Sequence, residues 1–553
     1  MHCSAITLCC GGVVWLLSAF VLADVPHLWA NDTASVMLWE SGALGPLPNQ
    51  TFLSSDVRAP IFMIHTFDRD RVSSSAGSHI FLSAAVGRQR QSPMILSARD
   101  LSVVYIDPTW NGGGTANYQR HRGQDSYLTF WTGKGHVGWG AGGCILLDER
   151  YHIVRNITTT RTTGYLGFEG ADNHECELTH DGGALITVYY KRNFHLDVTS
   201  PAAGGGDGSG DGVSGSDELG LGPGALIRES AFQEIDIETG EARFTWTATD
   251  HFAFDESLNP YAAANDANAS AAAAVPVSRE EAREEEEEEE GGGWDWFHLN
   301  SVQKTPAGDY LVSARHLCVL ALVSGRDGSV VWRLGGKHSD FADLAGGDAA
   351  DFCFQHHARF VFSGDDDDDD DDEGNEGENG KRTEEIELTL FDNHAMHATS
   401  LTPGCKRDCS RALRLRLDLA AMTVDIVHSW THPQSVQAWA QGGVQALPGK
   451  ARRGRRGRGR GGAMIGWGTV PSFSEVDGEG TTVLELGGRD PRVLTSLGVR
   501  APRAGFETEI QIPESDDVTV VQIAALDVDG NELGFTDVVD ARGGTKLTPD
   551  IQL

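Results

Sequence analysis

A strand-rich unit that recurs along the 553 residues restricts the fold of this chain more than any other feature. Each copy opens near a histidine, continues through apolar strands separated by glycine turns, and closes on a strand that ends in tryptophan. The three clearest copies cover residues 174–246, 298–332 and 356–430; a degenerate copy follows them and two more precede them. Each unit holds four short strands, and helical periodicity is nearly absent.

Repeated four-stranded units with an aromatic closing residue are typical of a β-propeller, in which each sheet buries its faces against its neighbours. We therefore predict an all-β propeller of about six four-stranded blades over residues 52–490. A large β-sandwich or a pair of barrels is the main alternative. Neither explains why a histidine recurs at one place in the unit.

Several low-complexity segments interrupt the strand pattern and are predicted to be surface insertions. They cover residues 204–224, 262–293, 364–383 and 450–462. Two of them contain acidic runs that supply much of the net charge of -36, which disfavours nucleic acid as a partner because binding phosphates needs clustered cations. The Gly/Arg-rich segment has the composition of a weak binder of RNA or anionic surfaces, and we favour a solvated insertion. Residues 491–553 are predicted to form a small C-terminal β-rich appendage.

An apolar N-terminal run at residues 4–23 ends in Val-Leu-Ala, which has the small-residue character of a signal-peptidase site. We predict a signal peptide at residues 1–23, an N-terminal segment at 24–51, and a secreted protein. Because the run lacks a basic start and is long enough to cross a bilayer, a membrane anchor at residues 4–23 is the alternative. Glycosylation sequons fit the secretory route. They begin at Asn31, Asn49, Asn156 and Asn268.

Six of the nine cysteines lie beyond the predicted signal peptide, and an even number suits disulfides in an oxidising compartment. Cys405 and Cys409 bracket a short polar turn and are the predicted pair. A zinc site lacks matching Cys/His pairs at ligand spacing.

The innermost strand of each propeller blade faces the central channel, so one repeated position converges on the axis from several blades. His174, His298 and His356 hold that position in three consecutive units, and Asn300 and Arg315 lie in register with them. Imidazole, amide and guanidinium donors suit an anionic, oxygen-rich group such as sulfuryl or phosphoryl, and one neutral histidine suits a nucleophile or base.

Four flanking polar residues are predicted to contact the substrate. They are Glu175, His316, His357 and Asn393. Three histidines also suit a metal, but no carboxylate or supporting pattern can be assigned to it, so we predict no metal and no cofactor. No glycine loop that would cradle a nucleotide donor is found. The alternative for all these polar side chains is that they satisfy buried blade edges.

Ten ordered motifs across residues 52–485 resemble those of the fungal arylsulfotransferase-like family. They are FLSSDVRAP, DNHECELT, FQEIDIETGE, WDWFHLNSV, YLVSARH, WRLGGKHSDF, QHHARF, LFDN, SRAL and GWG with SEV after it. The resemblance implies a six-bladed propeller that moves sulfate from an aryl sulfate to a phenol through a sulfated histidine, without a nucleotide. It makes His356 the nucleophile and places the sulfate group on His174, His298, Asn300 and Arg315.

Two departures from the family pattern bear on activity. His357 stands where the family usually has Asp, and the expected Tyr-Arg and Trp-Asn-Gly-Ala-Thr segment near the C-terminus is missing. We therefore retain two alternatives to the transferase: a secreted propeller that binds a ligand without catalysis, and an aryl sulfate hydrolase that uses the same residues.

Overall fold

Six small sheets form a ring in the computed structural model, which confirms the predicted six-bladed β-propeller. The structure describes residues 27–45, 48–52, 55–72, 78–85, 91–110, 114–121, 125–136, 138–160, 170–194, 225–259, 261, 293–362, 385–394, 409–447 and 461–488, and four short strands beyond residue 519. The predicted signal peptide, Asn268, Cys405 and nearly all of the four insertions lie outside these residues. In the part of the chain that is described, no helix is long and apolar enough to cross a membrane.

A short N-terminal segment precedes the blades. Its elements are β1 (Leu28–Trp29), α1 (Thr33–Glu40), β2 (Asn49–Thr51), β3 (Arg58–Pro60) and β4 (Met63–Phe67). The Asp32 carboxylate accepts a hydrogen bond from the Ser35 N–H and caps α1, as expected of aspartate at a helix start. Strand β1 pairs with β4 in parallel.

The first three blades follow in chain order. Blade 1 consists of β5 (His79–Ala85), β6 (Gln91–Ser97) and β7 (Val103–Ile106); blade 2 of β8 (Gly114–His121), β9 (Asp125–His136), β10 (Trp139–Leu147) and β11 (Ile153–Ile157); blade 3 of β12 (Cys176–Leu178), β13 (Gly183–Phe194), β14 (Ala225–Asp236) and β15 (Ala242–Thr247). Neighbouring strands within each blade are antiparallel. Two 3-10 helices, Ala248–Asp250 and Phe254–Glu256, follow blade 3.

The last three blades complete the ring. Blade 4 consists of β16 (Leu299–Lys304), β17 (Tyr310–Ala314), the 3-10 helix Arg315–Leu317, β18 (Val319–Val323) and β19 (Val330–Gly335); blade 5 of β20 (Ala342–Asp343), β21 (His356–Phe360), β22 (Glu385–Asp392), β23 (Arg411–Asp418) and β24 (Thr423–Thr431); blade 6 of β25 (Gly443–Ala446), β26 (Ala463–Gly466), β27 (Ser472–Val476) and β28 (Thr482–Gly487). The short strands β29 (Val520–Val521), β30 (Ala524–Leu526), β31 (Glu532–Phe535) and β32 (Val539–Asp540) lie in the predicted appendage.

An aspartate closes the turn before the last strand, in chain order, of every blade. Its carboxylate accepts hydrogen bonds from backbone N–H groups two to four residues later, which is the local chemistry that favours aspartate in turns. The six aspartates are Asp100, Asp148, Asp236, Asp327, Asp418 and Asp477. The recurring turns that the sequence showed are therefore one structural device repeated six times.

Buried apolar clusters join each blade to the next and hold the ring together. The closing tryptophans Trp246, Trp332 and Trp430 lie in three of these clusters, each with side chains from two neighbouring blades. Ring closure uses the two ends of the propeller, because Leu484 of β28 packs in one cluster with Met94 of β6. Strand β28 also pairs with the N-terminal strand β4.

Two disulfides cross blade boundaries. Cys144 of β10 is bonded to Cys176 of β12, and Cys318 is bonded to Cys353 just ahead of β21. Cys409 is also disulfide-bonded, and its predicted partner lies outside the described residues. Of the predicted glycosylation sites, Asn31 and Asn156 are exposed and Asn49 is half-buried.

Candidate functional site

The structure brings histidines from consecutive blades together at the start of the innermost strands. His174 lies two residues before β12, His298 directly before β16, and His356 is the first residue of β21. The ring centroids of His174 and His298 are 4.9 Å apart, and those of His298 and His316 are 4.7 Å apart. All four imidazoles are buried or nearly so.

Strained backbone marks the same region. His298, Phe354 and His357 have φ angles of 58°, 56° and 53°. This left-handed conformation is unfavourable for residues with a side chain and costs on the order of 1 kcal/mol or more for each of them. Such strain persists where the surrounding fold imposes it, and here it turns side chains at the entry of β16 and β21.

His174 differs from His298, His316 and His356 in that its pKa is raised and theirs are lowered. Its Nδ1 lies 2.6 Å from Asp172 Oδ2, and the fully buried Asp172 carboxylate also accepts hydrogen bonds from Thr187 and from the Gly140 N–H. Burial opposes protonation of the ring, but the charge and hydrogen bond of Asp172 outweigh it and raise the pKa of His174. The imidazolium form is thereby favoured.

His298 and His316 share the loop residue Asp295. His298 Nδ1 lies 2.5 Å from Asp295 Oδ2, whereas His316 Nδ1 donates to the Asp295 carbonyl at 2.6 Å. Burial lowers the pKa of both rings, assisted for His298 by the charges of His174 and Arg315. His298 and His316 are therefore held neutral beside His174, whose protonation Asp172 favours.

Arg315 places a guanidinium at the centre of the cluster. Its Nη1 donates to His316 Nε2 at 2.6 Å, its Nη2 donates to the Trp439 carbonyl at 3.1 Å, and the group lies 4.3 Å over the Phe354 ring. Burial lowers the pKa of Arg315 to about 10, which leaves it charged at neutral pH. Its Nε is buried and has no hydrogen-bond partner among the described residues.

His356 is fixed in one tautomer by its neighbours. Its Nδ1 donates to Asn393 Oδ1 at 2.7 Å, and its Nε2 accepts the Gln441 N–H at 3.2 Å. The Asn393 amide is oriented in turn by the Ala438 and Gln441 carbonyls, to which it donates. Burial and the positive charge of Arg315 lower the pKa of His356, so the ring is neutral with its lone pair on Nε2.

Asn300 offers further polar atoms to the same cluster. Its Nδ2 donates to the Gln355 carbonyl at 2.7 Å, while its buried Oδ1 has no partner in the described chain. The nearby Tyr189 hydroxyl, which the sequence did not single out, donates to the Leu299 carbonyl. Together with Arg315 Nε, Asn300 therefore has hydrogen-bonding capacity that the described protein does not use.

Two predicted substrate contacts lie between blades. His357 accepts a hydrogen bond from the Val444 N–H of β25, and burial lowers its pKa to about 3. The Glu175 carboxylate accepts hydrogen bonds from Arg359 and from the Val302 N–H. Both side chains thus connect neighbouring inner strands. The hydrogen-bond partner of His356 Nδ1 is Asn393 and not His357.

Asp295 also changes the case for a metal. Asp295, His298 and His316 each offer a ligand atom, and the three atoms lie within 4.8 Å of one another. The sequence analysis assigned no carboxylate to such a site. Asp295, in the loop before β16, provides one. Both nitrogens of His316 are engaged, however, and the adjoining guanidinium of Arg315 disfavours a second cation.

Asp172, Asp295 and Gln441 were not chosen as site residues from the sequence. The two aspartates precede His174 and His298 by two and three residues. This short spacing is a local signal in the sequence that could have identified them. Gln441 belongs to the loop before β25 and reaches His356 only through the packing of blade 6 on blade 5.

Comparison with solved structures gives chains of low similarity. One is a protein of unknown function from Bacteroides caccae, 11% identical with a TM-score of 0.33, which covers 75% of this chain and 94% of that chain. An apocarotenoid oxygenase from Synechocystis is 10% identical with a TM-score of 0.30, covering 75% and 70%. A europium-containing methanol dehydrogenase is 10% identical with a TM-score of 0.28, covering 77% and 73%.

No curated protein matches the chain. The sequence itself matches one family model, and the match supports an arylsulfotransferase-like function. Residues 218–489, which carry His298, Asn300, Arg315 and His356, match the model of the Arylsulfotransferase (ASST) family.

Proposed function

We propose that this protein transfers a sulfuryl group from an aryl sulfate to a phenol through a covalent adduct on His356. The observation that carries the proposal is the state of that ring. His356 is neutral, its proton is held on Nδ1 by Asn393, and its Nε2 lone pair lies in a cluster with the cationic Arg315. A nucleophilic imidazole needs this tautomer, and a buried guanidinium favours an anionic substrate beside it.

In the first half-reaction, His356 Nε2 attacks sulfur and the bond from sulfur to the phenolic oxygen breaks. The leaving phenolate takes a proton from His174, whose pKa is raised by Asp172 despite its burial. Arg315 Nε and the second N–H of Asn300 Nδ2, whose first N–H is used by the Gln355 carbonyl, donate to the sulfonate oxygens, and neutral His298 lies beside them.

In the second half-reaction, His174 removes the proton of the accepting phenol, whose oxygen attacks sulfur and releases neutral His356. Because the adduct separates the two half-reactions, the kinetics are expected to be ping-pong. Water in place of the phenol gives the hydrolase alternative, which differs only in whether a phenol accelerates turnover.

Replacing the nucleophile tests the proposal. Purified protein incubated with 4-nitrophenyl sulfate and a phenol should release nitrophenol and show a sulfuryl adduct by intact mass. The His356→Ala variant should show neither, because no other residue would carry the group. His152→Ala is the matched control, since His152 lies in an exposed turn at the end of β10. Wild-type release no greater than that of His356→Ala would contradict the proposal.

One observation favours a second candidate, a propeller that binds an aryl sulfate without turning it over. The lone pair of His356 Nε2 already accepts the Gln441 N–H, so attack on sulfur requires that this contact be given up. The two candidates separate in one experiment. Binding of 4-nitrophenyl sulfate without nitrophenol release would select the binding module.

We further propose that the protein is secreted. The apolar N-terminal run has the features of a signal peptide, and two disulfides within the propeller are consistent with an extracellular protein.

A further inference from the structure

The hairpin between β9 and β10 is anchored at the histidine cluster. A methyl group placed at Gly138 would lie 3.5 Å from His298 Cε1, so the backbone there lies beside that ring. Two residues later, the Gly140 N–H donates a 2.7 Å hydrogen bond to the Asp172 carboxylate that holds His174. The residue between these glycines is Trp139. Its backbone position is therefore fixed at the edge of the site.

Trp139 is half-buried and stacks with a second arginine. The Arg228 guanidinium of β14 lies 4.7 Å from the centre of the indole ring. The backbone of Arg228 is also held, because its N–H donates to the Trp294 carbonyl a few residues before His298. The positive charge of Arg228 reaches the cluster electrostatically, because it is one of the causes that lower the pKa of His298.

Two other aromatic rings at the site, those of Tyr189 and Phe354, are engaged by other contacts. Tyr189 is buried and its hydroxyl is bonded to Leu299, and Phe354 is covered by Arg315. Trp139 is a partly exposed indole at the edge of the cluster, and the Arg228 guanidinium beside it adds positive charge. Aromatic rings stack on such a plane, and a nearby cation favours an anionic ligand.

We propose that Trp139, stacked with Arg228, forms the aryl-binding wall of the site and favours larger aromatic sulfates over smaller ones. This inference rests on the proposed function, because it names the residue that recognises the aromatic part of the same substrate. The Trp139 indole contacts the ring of the aryl sulfate while Arg315 and Asn300 hold its sulfonate.

Equilibrium binding tests the inference without requiring turnover. Calorimetry should measure dissociation constants of 2-naphthyl sulfate, 4-nitrophenyl sulfate and inorganic sulfate for the wild type and for Trp139→Ala. Loss of one aromatic contact should weaken naphthyl sulfate about three- to tenfold, nitrophenyl sulfate less, and inorganic sulfate not measurably. Trp139→Phe keeps a flat ring and should fall between the two.

Tyr151→Ala is the matched control, because it removes a partly exposed, stacked aromatic side chain at the opposite end of β10. It should leave all three dissociation constants unchanged. Equal affinity of wild type and Trp139→Ala for naphthyl sulfate would overturn the inference. An equal loss for inorganic sulfate would also overturn it, because Trp139 would then support the sulfonate site instead of the aryl group.

The outcome is separable from that of the proposed function. Trp139-dependent binding of aryl sulfates without any turnover would support the aryl-binding wall and contradict the transferase. Turnover that depends on His356 but shows no preference for larger rings in either the wild type or Trp139→Ala would support the transferase and overturn the wall.

Discussion

At the residue scale, neighbouring imidazoles in this site differ in charge because they have different partners. The ring centroids of His174 and His298 are 4.9 Å apart, and two imidazolium ions at this distance would repel each other. Asp172 favours the charged form of His174, whereas burial and nearby cations keep His298 and His356 neutral. The proposed acid, His174, and the proposed nucleophile, His356, can thus be in their required protonation states at a single pH.

The pH dependence of turnover should report this division. Activity should rise as His356 loses its proton at a pKa below the usual 6.5, and fall as His174 loses its proton at a pKa above it. Asp172→Asn removes the largest cause that raises the pKa of His174. We therefore expect the falling limb of kcat/KM against pH to move to lower pH, while the rising limb remains.

A stability measurement checks the same assignment. Because the pKa of His174 is raised in the folded state, the stability it contributes is fully present below about pH 6.5. This stability is lost as the pH rises through the folded-state pKa, and Asp172→Asn should abolish that dependence. Asp148→Asn is the control, since Asp148 lies 3.7 Å from an exposed histidine outside the site. An unchanged falling limb in Asp172→Asn would remove His174 as the acid.

Arg315→Lys separates the geometry of the guanidinium from its charge. Lysine keeps the charge but loses the planar fork, so turnover should fall about 100-fold or more, as when one preorganised donor is removed. The lost bond to the Trp439 carbonyl should lower the free energy of unfolding by about 1 kcal/mol. Arg326→Lys, in the exposed turn before β19, is the control. Global unfolding, or intact turnover, would make Arg315 a structural strut between blades.

At the element scale, local sequence patterns predicted the strands better than the contacts between blades. The recurring histidine, the glycine turns and the closing tryptophan each depend on neighbours in the chain, so they marked β12, β16 and β21 correctly. The partner of Cys144 depends instead on how blade 2 packs against blade 3, which places its Cα 5.9 Å from that of Cys176. The contact between Gln441 and His356 was beyond sequence reasoning for the same reason.

The disulfide between blades 2 and 3 should stabilise the ring measurably. It closes a loop with a sequence separation of 32 residues. Chain-entropy arguments give about 3 to 4 kcal/mol for a loop of this size. Urea unfolding of Cys144→Ala/Cys176→Ala should therefore show a loss of that order.

The disulfide between blades 4 and 5 lies close in the chain to Arg315 and to the Phe354 ring that Arg315 contacts. Cys318 follows Arg315 and His316, and Cys353 precedes Phe354, on which the guanidinium stacks. Cys318→Ala/Cys353→Ala should accordingly lose turnover at temperatures where the protein is still folded. If both double variants have the melting temperature of the wild type, the disulfides do not stabilise the contacts between blades.

At the scale of the whole molecule, the ring is closed by segments from its two ends. Strand β4 pairs with β28, and apolar side chains of β28 and blade 1 share one buried cluster. A propeller without this contact has an open blade boundary and an unpaired strand edge, both of which expose apolar or hydrogen-bonding groups.

Two truncations should therefore behave differently. A chain that ends at Gly488 keeps all six blades and should retain the wild-type melting temperature. A chain that ends at Glu479 lacks β28 and should lose its cooperative melting transition, because β4 and Met94 lose their partners. Circular dichroism during heating measures both. Identical melting of the two truncations would show that β28 does not close the ring.

The pairing of β4 with β28 also sets an order of events during synthesis. The ribosome makes β4 early and β28 only after the other five blades, so β4 waits with one edge open while nearly the entire propeller emerges. An open edge and an uncovered apolar boundary invite pairing with other nascent chains. Strand β28 therefore ends the period in which the newly made chain most needs chaperones, and premature release from the ribosome would be most damaging just before it is added.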